Sequence, residues 1–226
     1  MPKGKRKSQK QTRREKMRAD KERKKWVGYG ALALVLIAAI LFITSRPPNA
    51  PPLDDARLSS NPILGPDTAK VTITEYGDFG CPACQSWHRS GIKEQLLATY
   101  GDDIQFIWKD FPVITAQSPK AAEAGQCALD QGKFWEYHDL LYAKAPAISV
   151  SELKNYASEI GLDTALFEAC LDSDQNRAKV EQNLDEARRL GLPGTPSFLV
   201  NDTKLIGPPS FEFFKSTIDG ILASGG

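Results

Sequence analysis

Between Lys25 and Arg46 lie 20 consecutive residues, Trp26 to Ser45 (WVGYGALALVLIAAILFITS), without a single charge. A helix of that length rises about 30 Å, the thickness of a bilayer's hydrocarbon layer, so the run predicts one transmembrane helix. It divides the chain into parts that must fold in different surroundings. Upstream, residues 1–25 hold 13 Lys and Arg against 3 Asp and Glu, which leaves 16 basic and 25 acidic residues for everything beyond, although the whole chain nets +1. Basic residues just before an apolar span keep that end in the cytoplasm, and Trp26 and Tyr29 suit the headgroup layer. The expected location is the cell membrane, single-pass, with the bulk of the chain outside. A cleaved signal peptide is the rival reading, but both the basic and the apolar regions are longer than usual and no small-x-small site follows. Orientation and attraction to anionic lipid account for the basic tail, so nucleic acid is not an expected partner.

Residues 46–67 are rich in proline (Pro47, Pro48, Pro51, Pro52, Pro62, Pro66) and lack apolar periodicity, which predicts a semi-rigid extended spacer. The remainder, 68–226, is long enough to bury its own core. Ala69 to Tyr76 alternates apolar and polar residues as a strand does, a helix is expected over about Pro82 to Tyr100, and Ile104 to Phe111 reads as a second strand. A strand, helix, strand unit of this kind places its strands side by side and parallel. Helical stretches then follow at Ala121 to Asp130, Phe134 to Ala143, Ser151 to Ile160 and Thr164 to Leu171, broken at Gly132 and Gly161. A further helix is expected over Asp174 to Leu190. Ser197 to Val200 and Thr203 to Ile206 flank Asn201-Asp202 as a hairpin does, and Pro209 to Leu222 closes the chain as a helix. The expectation is an α/β fold: a small mixed sheet with helices on both faces, interrupted at about 117–174 by a helical block. No glycine-rich phosphate loop is present, and no cofactor is expected.

All four cysteines, Cys81, Cys84, Cys127 and Cys170, fall on the outer side, where disulfides persist. Cys81-Pro82-Ala83-Cys84 stands between the first strand and the first helix. At a helix N-terminus, unpaired N–H groups and the helix dipole favour an anionic sulfur, and the thiolate is the attacking form. Pro82 suits the first turn because its missing N–H is not needed there. The first cysteine of such a turn faces out and attacks, whereas the second, one turn deeper, resolves the mixed disulfide. A purely structural bridge and a half metal site are the competing readings. His88 lies on the same helix face, but His138 is the sole other histidine and no full ligand set emerges, so no metal is expected. His88, Trp135 and His138 read better as packing residues. Cys127 and Cys170, 43 positions apart in two predicted helices, suit a structural disulfide, with a second relay pair or two buried thiols as alternatives.

Thr195-Pro196 precedes the third strand, far downstream of the cysteine pair. That combination resembles the thioredoxin superfamily, and more closely its DsbA-like branch. The similar motifs are ITEYGDFGCPAC at Ile73 to Cys84, WKDFPV at Trp108 to Val113, GKFWEYHDLLY at Gly132 to Tyr142 and GTPSFLV at Gly194 to Val200. The resemblance implies a thioredoxin-like fold with an inserted helical domain, and an enzyme that oxidises, reduces or isomerises disulfides in extracytoplasmic proteins. It implies that Cys81 attacks, that Cys84 resolves, and that a cis Thr195-Pro196 loop binds client backbone beside Pro82 and Ala83. Glu75, six residues before Cys81, matches a buried acid that shuttles a proton to and from Cys84; an ordinary strand-end carboxylate is the alternative. The implied partners are unfolded or partly folded protein thiols and disulfides, and a membrane redox partner, quinone-linked or reductant-supplying.

Ala83 departs from the best-known oxidant of that branch, which carries a histidine there. Losing that donor should make the thiolate less stable and the disulfide less oxidising. Introduction of disulfides is the leading expectation; a reductase or isomerase using the same residues, a non-redox peptide-binding chaperone and a metal-delivery protein are the alternatives.

Overall fold

The structure, a computed structural model, describes residues 60–225. The basic tail (1–25), the apolar run (26–45) and most of the proline-rich spacer lie outside the described residues. Among the described residues no helix is long and apolar enough to cross a membrane.

The elements run β1 (Ile63–Leu64), β2 (Val71–Gly77), α1 (Pro82–Arg89), α2 (Ile92–Tyr100), β3 (Ile104–Asp110), α3 (Ser118–Leu129), α4 (Phe134–Lys144), α5 (Val150–Glu159), α6 (Thr164–Asp172), α7 (Arg177–Arg189), β4 (Ser197–Val200), β5 (Thr203–Ile206) and α8 (Phe211–Ala223). The strands form one sheet in the order β1-β3-β2-β4-β5. β2 is central, parallel to β3 and antiparallel to β4. The hairpin turns at Asn201, whose positive φ of 47° suits asparagine, and its side chain accepts the Thr72 N–H at 2.8 Å.

Because side chains alternate across a strand, Val71, Ile73 and Glu75 share one face of β2 while Tyr76 points to the other. On the first face Val71 and Ile73 pack with Trp87, Leu96, Phe106, Phe198, Val200, Phe214 and Ile218, which seats α1, α2 and α8. On the other face Tyr76, Phe111, Ala187 and Leu192 pack under α7. The helical block has its own core, which runs from Phe134, Tyr137 and Leu141 through Leu153, Phe167 and Leu171 to Phe79 and Trp108 beside the cysteine pair. Gly77 makes that junction possible: a Cβ there would stand 2.2 Å from the Trp108 indole.

Cys127 and Cys170 are disulfide-bonded, with Cα atoms 6.0 Å apart, and tie α3 to α6. Closing a loop of 43 residues restricts the unfolded chain, so a Cys127→Ala/Cys170→Ala variant should lose about 2 to 4 kcal/mol. Its urea midpoint should fall while the Cys81–Cys84 pair still reacts. An unchanged midpoint would show that the bridge is not a staple.

Two expectations are corrected here. Ile63–Leu64, placed within the extended spacer by its proline content, is a sheet strand, antiparallel to β3 and paired at Ile63 with Ile107. Its edge is further held by Trp135 of α4, whose Nε1 donates to the Ile63 carbonyl at 3.3 Å. The single helix expected from Pro82 to Tyr100 is two, α1 and α2, because the chain turns through Gly91 at φ 70°.

Candidate active site

Cys81 is the N-cap of α1, in extended conformation, and Pro82 occupies the first turn. The Cys81 sulfur accepts the Cys84 N–H at 3.4 Å, one of the donors that a helix start leaves unpaired. It also lies 3.3 Å from the Thr195 carbonyl, to which a thiol donates. Both Cys81 and Cys84 are free thiols and both are buried: Cys81, expected to face out, keeps 4% of its surface exposed because the Thr195 segment lies against its sulfur. The Cys84 thiol, together with the Thr195 side chain and the Cys84 and Ala83 amides, favours a Cys81 thiolate against the cost of burial, and its pKa falls to about 6. The Thr195 hydroxyl is buried with no other hydrogen-bond partner, so it is available to the ionised sulfur. Cys84 is sealed, with no exposed surface, and burial together with the Cys81 contact pushes its thiol far up. Two cysteines of one turn thus differ sharply in acidity because one caps the helix and the other points into the core.

Glu75 sits in the sheet between Trp108 of β3 and Phe198 of β4, its direct neighbours across the two ladders. Aromatic side chains on both sides strip it of water, and burial raises its pKa to about 8 even though Lys93 pulls the other way. Its charge in turn raises the Cys84 thiol. The Thr195-Pro196 peptide is cis and Pro196 is buried, and the segment meets the cysteine turn where the Thr195 carbonyl lies 3.3 Å from the Cys81 sulfur. Cys81, Cys84, Glu75 and Thr195-Pro196 are therefore brought together, while Cys127 and Cys170 lie apart in the helical block.

Several residues of the site carry no sequence signal of their own. Lys93, buried to 4% exposure, lies 3.4 Å from Asp139 and 4.8 Å from the Trp135 ring centre. Asp139 also meets His138 Nδ1 at 2.9 Å and His88 Nε2 at 3.8 Å. The three residues His88, His138 and Asp139 present ligand-type atoms within 4.8 Å of one another, but the Lys93 ammonium already sits on the shared carboxylate. Burial keeps both histidines neutral, His138 at about 3. His138 packs edge-on against Trp108 at 4.8 Å, and His88 stacks on Tyr142 at 5.1 Å. Spacing along α1 groups His88 with the cysteines; the fold turns it to the helical block instead. Asp78 is the other residue without a signal, since its role depends on a loop 35 positions away.

Sheet order, interrupting helices and a Cys-Pro-Ala-Cys turn beside a cis proline together define a DsbA-like variant of the thioredoxin fold. The family described as Thioredoxin matches residues 58–220, and the chain belongs to that family. Among solved structures, the chain is similar to oxidised BdbD from Bacillus subtilis, with a TM-score of 0.67 and 25% identity over 72% of this chain and 93% of that one. It is also similar to a thioredoxin-like oxidoreductase from Silicibacter pomeroyi, with a TM-score of 0.64 and 26% identity over 74% of this chain and 96% of that one. Among curated proteins it is 33% identical over 164 residues to the Na(+)/H(+) antiporter NhaA 3 of Salinispora tropica, covering 72% of this chain. It spans about a quarter of the length of the curated relatives it matches, 25% in that case.

Proposed function

We propose that the chain is an extracytoplasmic thiol–disulfide oxidoreductase that introduces disulfides into secreted or envelope proteins through the Cys81–Cys84 couple. The observation that carries this reading is the inequality of the two sulfurs: one caps a helix and ionises easily, the other is sealed and holds its proton. In the oxidised enzyme a client thiolate attacks Cys81, and the Cys81–Cys84 bond breaks with Cys84 leaving. Glu75, protonated near neutral pH, gives Cys84 its proton. A second client thiolate then attacks the client sulfur of the mixed disulfide, and Cys81 leaves as a thiolate. The client loses two electrons and the couple gains them; a membrane redox partner takes them on. Thr195-Pro196, with Pro82 and Ala83, supplies the edge against which client backbone lies.

Stabilising the Cys81 thiolate favours the reduced couple, and a couple that prefers to be reduced is the better oxidant. The similarity to an oxidised BdbD and to a thioredoxin-like oxidoreductase supports the same chemistry. The apolar run at 26–45 supports a membrane anchor with the basic tail in the cytoplasm. Ala83, which offers the sulfur no side-chain donor, supports the second reading, a reductase or isomerase working through the same residues.

Thiolate absorbance against pH tests the first premise. Cys81 should titrate near pH 6, and Thr195→Val, which removes the hydroxyl and leaves the carbonyl, should move the midpoint upward. A midpoint at the ordinary thiol value of 9, or resistance of Cys81 to alkylation, would remove the basis for exchange. The equilibrium with glutathione then decides direction: an oxidant has the higher reduction potential.

A further inference from the structure

The exchange steps make no use of Asp78, yet its carboxylate is buried to 1% exposure at the edge of the site. Everything that the carboxylate touches is main chain. Oδ1 accepts the Gly80 N–H at 2.7 Å, and Oδ2 accepts the Val113 and Ile114 N–H groups at 2.8 Å each. The Asp78 carbonyl meanwhile accepts the Cys81 N–H at 3.0 Å and the Tyr142 hydroxyl at 3.3 Å. Two of these bonds tie the cysteine turn to the loop that follows β3, and the third holds the turn itself.

That loop is pinned a second time at its far end. Thr115 and Ser118 exchange backbone-to-hydroxyl bonds at 3.1 Å in each direction. Their hydroxyl oxygens lie 2.8 and 2.7 Å from where a Cβ on Gly80 would stand, so the residue before Cys81 must be glycine for the loop to close against it. The loop is nonetheless open to solvent at its tip, where Val113 and Ile114 are 44% and 45% exposed. A loop tip held by a buried carboxylate, with its side chains outward and its base against Gly80, is rigid before any client arrives.

We infer that Asp78 is a positioning residue for thiol exchange: it locks residues 111–117 against the Cys81 turn as a preformed rim that a client polypeptide meets on its way to the sulfur. This rests on the exchange activity proposed above. A residue that served stability alone would affect large and small substrates alike. A rim matters to a polypeptide and not to a small dithiol, which reaches the sulfur without crossing it.

The test compares single-turnover oxidation of a short two-cysteine peptide and of dithiothreitol by the full chain and by its Asp78→Asn variant, each first converted to the Cys81–Cys84 disulfide with glutathione disulfide, which takes the two electrons. Asparagine keeps the size but turns an NH2 toward backbone N–H groups, so the rim loosens. The peptide rate should fall about tenfold or more, as misplacement of contacts does, while the dithiothreitol rate and the Cys81 ionisation constant each change less than about twofold. Equal slowing of both substrates, or no slowing of the peptide, overturns the inference. Failure of the unaltered chain to oxidise either substrate overturns the proposed function instead. Should Asp78→Asn not fold, nuclear magnetic resonance decides: the exposed Val113 and Ile114 methyl groups of a Cys84→Ala chain should shift when the peptide is trapped on Cys81, while their amides, bonded to Asp78, stay protected throughout. Unshifted methyl groups, or amides that exchange freely without the peptide, also sink the rim.

Discussion

Replacing Cys84 by alanine should trap clients through the reverse of the exchange: the Cys81 thiolate still attacks a client disulfide, one client sulfur leaves, and the mixed disulfide formed meets no second enzyme thiol to open it. The sulfur it removes is the one that is fully buried and one helical turn beyond the cap. Release of that mixed disulfide as reduced client, the route that needs the second enzyme sulfur, should slow by at least about a thousandfold, because a thiol held in attacking geometry acts at an effective concentration of about 10^5 M or more. Adducts that survive non-reducing electrophoresis and disappear with dithiothreitol are the readout. Cys81→Ser should form none. If Cys84→Ala releases clients as fast as the parent chain, then Cys84 is not the resolving group and the two-sulfur scheme fails.

Glu75→Gln should make the protein more stable and less active at the same time. The Glu75 pKa is about 8 in the fold against an ordinary 4.5, so the folded chain binds its proton more tightly than the unfolded chain. The stability that goes with the bound proton is complete below about pH 4.5 and is lost as pH rises through 8. At pH 7 the cost of keeping this carboxyl in the sheet is on the order of 3 kcal/mol, which the amide avoids. Urea unfolding should therefore show little difference between variant and parent at pH 4 and a clear gain for the variant at pH 8. The same variant has no proton to give Cys84, so the rate of the first exchange step should lose its dependence on a group titrating near 8. An equal gain in stability at both pH values would mean that packing, and not ionisation, separates the two.

Most of the fold is legible in the sequence because its helices and inner strands advertise themselves. The hairpin at Ser197–Val200 and Thr203–Ile206 agrees with its expected bounds, since a turn-forming Asn201-Asp202 sits between two apolar runs. The helices of the block fall within a few residues of their expected ends, with Gly132 and Gly161 at two of the breaks. β1 escapes for a physical reason: two residues carry no periodicity, and their strand character comes from the β3 edge they pair with. The break between α1 and α2 escapes because apolar spacing continues across Gly91, and one positive φ is enough to turn the chain. At the site, the cysteine pair and Thr195-Pro196 are visible as local patterns. Lys93, Asp139 and Asp78 are not, because what they do depends on residues brought near only by folding.

The short first strand closes off β3, whose outer N–H and C=O groups would otherwise face water. Ile63 and Leu64 stand between Pro62 and Pro66, so the protective flap of the sheet lies within the stretch that its composition marks as a spacer. Trimming the chain to begin beyond Leu64 would strip that flap and leave a bare pairing edge, an invitation to stick to a second copy. A stretch whose prolines suggest only a spacer thus carries the guard against aggregation.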